Sequence, residues 1–173
     1  MYIDNGVEKY RDRIHKIKLF EFLNDREIND LLSMCDVQVY EEGEAVIVQD
    51  EVEQAFYAVI SGHVEVNVEE NRRKKTYICT IGAGEVFGEA GMFMRVKRTA
   101  NVNSLEQTAL LYITREEFVQ FIKKNPSTGN KILMVVVYSL LKKLQTANQE
   151  LAYERQFDIQ QEDVDAIVDE FLP

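Results

Sequence analysis

Gly84-Glu-Val-Phe-Gly-Glu-Ala-Gly-Met-Phe-Met-Arg-Val-Lys-Arg-Thr-Ala-Asn-Val102 is the stretch on which the reading of this chain turns. It joins a flexible turn, a short helix-forming segment and a basic residue that enters a new strand. Gly88 permits a tight turn and close backbone approach. The amides from Glu89 onward then start a helical turn whose N–H groups can receive an anion. Arg98 supplies a guanidinium suited to bidentate pairing with a phosphate. Glu89 is an acceptor-only carboxylate, suited to a sugar hydroxyl. Together they describe a ligand in which phosphate and sugar lie close together.

Outward from this stretch, residues 37–113 carry apolar side chains at period two in short runs: Val37 and Val39; Ala45 and Ile47; Tyr57 and Val59; Val64, Val66 and Val68; Tyr77, Cys79 and Ile81. Such alternation predicts half-buried strands. Turn signals fall between them at Glu42-Gly43, Gln49-Asp50-Glu51, Ser61-Gly62, Glu70-Asn71 and Gly82-Ala83-Gly84. Short strands with regular turns and no intervening helices imply a closed or double-layered antiparallel β structure.

The flanks are helical. Residues 7–32 show helical spacing (Ile14, Ile17, Leu19, Phe20, Leu23, Ile28, Leu31, Leu32) interrupted at Asn24-Asp25, with Asp25 as the expected N-cap. Thr114 and Glu117 have the capping-box form and predict a helix over 114–124, which Asn125-Pro126 ends. A longer helix is expected over 127–155. In it Leu133, Val137, Leu140, Leu144, Ala147 and Leu151 keep the 4,3 spacing of a coiled-coil seam, while Met134, Tyr138 and Leu141 form a second stripe. This is either one broad apolar face lying on the β core, or one face on the core and another on a partner subunit, as in a homodimer through this helix.

Composition narrows the function classes. The chain has 173 residues, 46% hydrophobic and 29% charged, with a formal net charge of −10. That suits one domain with helical extensions and disfavours nonspecific nucleic-acid binding. Charge is uneven: residues 71–100 hold seven basic against two acidic side chains, and residues 149–173 hold eight acidic against one basic. No apolar run approaches the roughly 20 residues of a membrane helix, and the N-terminus lacks a secretory h-region, so the expected location is the cytoplasm and no membrane partner is expected. Cys35 and Cys79 are read as core thiols. Arg72-Arg-Lys-Lys75 reads as a solvated loop that can steer an anion.

In residue type and spacing, Phe87-Gly88-Glu89 followed nine residues after the Glu by Arg98-Thr99-Ala100 resembles the phosphate-binding cassette of the cyclic nucleotide-binding domain family. Members of that family include catabolite activators, protein kinase regulatory subunits and cyclic-nucleotide-gated channels. The resemblance extends over about residues 17–150. It takes in Leu19-Phe20, residues 40–47, Phe56-Tyr57, Gly62-His-Val64 and the helical stretch from Thr114. It implies a mainly β fold: an eight-stranded antiparallel β-roll of jelly-roll type with N-terminal helices and a long C-terminal helix. The implied divisions are 1–18 (N-terminal helical segment), 19–126 (β-roll), 127–155 (long helix) and 156–173 (acidic amphipathic tail).

The resemblance further implies that the chain is a stand-alone sensor. Glu89 would hold the ribose 2′-hydroxyl and Arg98 the cyclic phosphate. Gly88, Ala90 and Thr99 would add donors, Phe87 opens the motif, and Ala100 would pack under the ligand. Asn148 of the long helix is the polar candidate for the base. The ligand is then cAMP or cGMP, with cAMP favoured, and no further cofactor or metal is expected. Asp50 stands where the family usually has a turn glycine, a requirement that Asp can satisfy through a left-handed conformation at modest cost. Ala90 replaces a common Leu or Ile.

Other readings leave fewer traces. A scaffold of the same fold that binds no nucleotide would be expected to lack the Glu or the Arg. A metal-dependent enzyme needs more histidine than His63 and His15 provide, and His63 reads as an exposed turn residue. Only about 20 residues, mostly acidic, follow the long helix, so direct DNA binding is not expected. Val164, Ile167, Val168, Phe171 and Leu172 would line one face of the tail, either docked on its own domain or recruiting an effector protein that the sequence does not name.

Overall fold

The computed structural model describes residues 1–70, 74–94 and 96–171, without the side chains of residue 70 and of residues 154–171. It separates into two compact units, residues 1–135 and residues 136 onward.

Among its described residues the first unit holds nine strands: β1 (Tyr2–Ile3), β2 (Asp36–Tyr40), β3 (Ala45–Ile47), β4 (Ala55–Ser61), β5 (His63–Glu70), β6 (Lys74–Gly82), β7 (Val86–Phe87), β8 (Asn101–Ser104) and β9 (Thr108–Thr114). Its helices are α1 (Arg11–Ile14), α2 (Asp25–Leu32), α3 (Glu89–Phe93) and α4 (Arg115–Lys124), and it contains the start of α5 (Pro126–Phe171). All strand pairs are antiparallel, in two sheets ordered β1-β2-β9-β4-β7 and β3-β8-β5-β6. This is the expected antiparallel roll of jelly-roll type. One departure lies at the edge: within residues 1–18, expected to be helical throughout, Tyr2 and Ile3 pair with Val39 and Gln38 and add a ninth strand.

Between the sheets lie Tyr40, Val46, Ile47, Ala55, Tyr57, Val59, Val64, Phe87, Val102 and Leu110. The odd positions of β4 thus face the interior, as period two requires. Its even positions, Phe56, Ala58 and Ile60, were expected on an exposed face and are instead buried. Strand β4 lies between β9 and β7, and α1 and α3 pack against it, so both of its faces are covered. The opposite departure occurs on β6, at the edge of its sheet. There Tyr77 and Ile78 are exposed and so is Cys79, which corrects its assignment to the core. Cys35 is partly buried, and burial pushes its thiol upward.

Two turns show how residue choice bends the chain. Gly62 has φ +84, and a Cβ there would lie 2.4 Å from Thr108 Oγ1 and 2.9 Å from the Gln107 carbonyl oxygen. Only glycine fits where the chain crosses from β4 in one sheet to β5 in the other. Asp50 takes φ +69, the left-handed conformation expected of it.

Helix starts follow side-chain chemistry. Thr114 and Glu117 form the predicted capping box on α4. On α2 the cap is Asn24, one residue before the expected Asp25, because Glu27 at the third helical position returns a bond to the Asn24 amide. Glu27 also accepts from Thr128 Oγ1 (3.0 Å) and Lys131 Nζ (2.8 Å), which ties α2 to the first turns of α5.

The second unit consists of the rest of α5. The helix runs past residue 155 and is continuous to Phe171. Val137, Tyr138, Leu140, Leu141, Leu144 and Leu151 are exposed on it. The apolar face expected of the tail lies outside the described side chains. So do Arg72 and Arg73 of the basic run, the turn at Asn71, and Arg95. Lys74 and Lys75 belong to β6, where Lys75 Nζ lies 2.6 Å from Glu65. Among the described residues, no helix is long and apolar enough to cross a membrane.

Candidate nucleotide-binding site

The cassette begins where β7 ends. Phe87 is buried and stacks on Tyr57 of β4, with ring centroids 5.0 Å apart and planes 5° from parallel. Gly88 then turns the chain with φ +82, and its α-carbon faces the Ala55 carbonyl, the Tyr57 ring and the Arg98 guanidinium. α3 starts at the next residue, so the predicted turn and short helix are both present. Glu89 and Met92 are buried, while Ala90 and Phe93 are exposed.

Arg98 enters this cluster from the other side. Its main chain is clamped to the 49–54 loop: Asp50 donates its amide to the Arg98 carbonyl (2.9 Å), and Arg98 donates its own to Glu51 (2.8 Å). Its side chain is only 6% exposed. Nη1 donates to the Gly88 carbonyl (3.3 Å), and Nη2 donates to the Ala55 carbonyl (3.1 Å) and to Glu53 Oε2 (3.2 Å). Nε is buried and has no hydrogen-bond partner among the described residues. A buried guanidinium donor costs free energy unless it meets an acceptor.

Glu89 and Arg98 are thus both buried, one just after Gly88 and the other ten residues beyond it. Thr99 follows with an exposed side chain and Ala100 is half-buried. Asn148 is exposed on α5, in the second unit. His63 opens β5, exposed, with Nδ1 2.6 Å from Glu106 Oε1.

Contributors that escaped the sequence reading surround Arg98. Glu53 accepts from Arg98, from Tyr57 Oη (3.0 Å) and from Tyr112 Oη (3.4 Å). Burial, reinforced by this carboxylate, pushes the Tyr112 hydroxyl up to about 12 and that of Tyr57 further. Gly91 is needed for space, since a Cβ on it would lie 2.4 Å from Arg98 Nη1 and 2.8 Å from the Glu53 carbonyl oxygen. One signal for Glu53 was available: residues 53, 55, 57 and 59 share a parity, so extending the inward face of β4 by two residues points a carboxylate into the roll.

The chain is thus a two-sheet antiparallel roll with a glycine-turned cassette that buries a Glu and an Arg. Residues 37–125 match the model of the cyclic nucleotide-binding domain, and the chain belongs to that family. The cyclic AMP receptor protein of Thermus thermophilus is 28% identical over 133 residues, 77% of this chain and 60% of that protein. A cGMP-dependent protein kinase of Plasmodium berghei is 32% identical over 111 residues, 64% of this chain and 12% of the kinase. The chain therefore spans less than two thirds of the length of these relatives. A cyclic nucleotide-binding domain from Methylobacillus flagellatus has the same fold, with a TM-score of 0.74 over 83% of both chains at 22% identity.

Proposed function

We propose that this chain is a cyclic nucleotide sensor with no chemistry of its own, in which ligand in the cassette biases the packing of the C-terminal helix. The buried Arg98 carries this reading, because its unpartnered Nε supplies a donor for a phosphate at the cassette. Arg98 holds the cyclic phosphate, Glu89 the ribose 2′-hydroxyl, and Thr99 adds a hydroxyl at the mouth.

The names of the two relatives refer one to cyclic AMP and the other to cGMP. We favour cAMP. Output passes through α5, whose exposed Leu140 and Leu144 suit a homodimer seam, to an effector protein rather than directly to DNA. A ligand moves such an equilibrium only by its differential affinity for the two packings.

Thermal unfolding with cAMP, cGMP and cyclic dinucleotides tests the ligand. At 100 times its dissociation constant a ligand adds about 2.7 kcal/mol of stability. The expected result is the largest shift with cAMP. No shift with any of them overturns the assignment and leaves a scaffold of the same fold.

A further inference from the structure

The guanidinium of Arg98 has five donor hydrogens. Two are on Nη2, and both are engaged, one by the Ala55 carbonyl and one by Glu53. Nε and Nη2 together form the edge that grips a phosphate through two parallel bonds. Nε lacks a partner among the described residues, but its neighbour on that edge is already committed.

For two-point capture of a phosphate, one Nη2 bond must yield. The Ala55 carbonyl belongs to the backbone of a fully buried residue in a central strand and cannot move away. Glu53 lies in the loop before that strand, and its side chain is 38% exposed beside a guanidinium that is 6% exposed. Glu53 is therefore the group that can leave.

From this geometry we propose that Glu53 is an internal competitor for Arg98: its carboxylate holds one of the two Nη2 hydrogens that a phosphate would use, and nucleotide binds by displacing it. The proposal rests on the cyclic-nucleotide reading of the cassette. Glu53 is then an affinity-setting residue, which lowers occupancy until ligand is abundant. The hydroxyls of Tyr57 and Tyr112 hold the carboxylate in its competing position, since both donate to it.

The test is the Glu53→Gln variant, which keeps the size and the accepting oxygen but removes the charge. Calorimetric titration with cAMP and cGMP is expected to show about tenfold tighter binding than wild type, the scale set by removing one like charge near a phosphate at a partly exposed site. Tyr112→Phe, which weakens the hold on Glu53, is expected to give a smaller change of the same sign. In an Arg98→Ala background the Gln substitution is expected to bring no gain.

A carboxylate that merely positioned Arg98 would show the reverse, so unchanged or weaker binding in Glu53→Gln overturns the proposal while leaving the nucleotide reading intact. Inorganic phosphate, followed through the Arg98 Nε–H resonance, separates the remaining cases. If neither protein binds a cyclic nucleotide but Glu53→Gln binds phosphate more tightly than wild type, competition stands and the nucleotide reading falls. If neither protein binds nucleotide or phosphate, both fall.

Discussion

At the scale of single residues, the cassette divides its work between charge and hydrogen bonding, and the two should be separable by substitution. Arg98→Ala removes the buried cation that the described residues bring to the cluster and is expected to weaken cyclic nucleotide binding by about 2–5 kcal/mol. In the proposed pose Glu89→Ala removes a sugar contact rather than the charge pair and should cost less. Calorimetry on both checks the order, and wild-type affinity in the Arg98 variant would remove the phosphate from this site. Thr99→Ala is expected to lower cGMP affinity more than cAMP affinity, by about 0.5–1.5 kcal/mol for one neutral hydrogen bond. Equal losses would mean that the hydroxyl serves only the phosphate. Gly88, Glu89 and Arg98 could be read from sequence because each carries its chemistry in its own residue type. Glu53 could not be assigned in the same way, because its meaning comes from Arg98, 45 residues further along the chain.

At the scale of elements, local rules succeeded where the element is covered on one side and failed where its surroundings decide. The Thr114 capping box and the left-handed Asp50 are local, and both were predicted. β4 and β6 read alike in sequence, yet one is covered on both faces and the other is exposed at an edge, a difference that only the strand order determines. The Asn24 cap offers a test with a pH signature. Lys131 beside Glu27, helped by the Asn24 amide, holds the Glu27 carboxyl below its ordinary value. A depressed folded-state value means that the stabilisation is present above the unfolded carboxylate range, near pH 4.3, and is lost as pH falls through the lower folded value. Thermal melts from pH 7 to pH 2 should therefore show a shallower acid decline in Glu27→Gln than in wild type, together with a lower midpoint at neutral pH. Asn24→Ala is expected to cost about 1 kcal/mol at every pH, as a lost cap.

For the whole molecule, the prediction concerns assembly. If the exposed seam joins two copies, Leu140→Glu with Leu144→Glu places charges in an apolar interface and should turn a dimer into a monomer. The roll should remain folded, because its core lies in the first unit. Sedimentation decides between the outcomes: a wild type that is monomeric with and without nucleotide assigns the stripe no partner.

The Glu53–Arg98 contact has a further consequence, for the order of folding. It joins the loop just before β4 to Arg98, 45 residues further along, with the β5–β6 hairpin lying between them in the chain. Contacts of such long sequence separation form late. Bound nucleotide should therefore act mainly on the exit from the native state, slowing unfolding many times more than it speeds refolding. If the proposed nucleotide binds, occupancy would then prolong the lifetime of the folded chain and register as slower turnover.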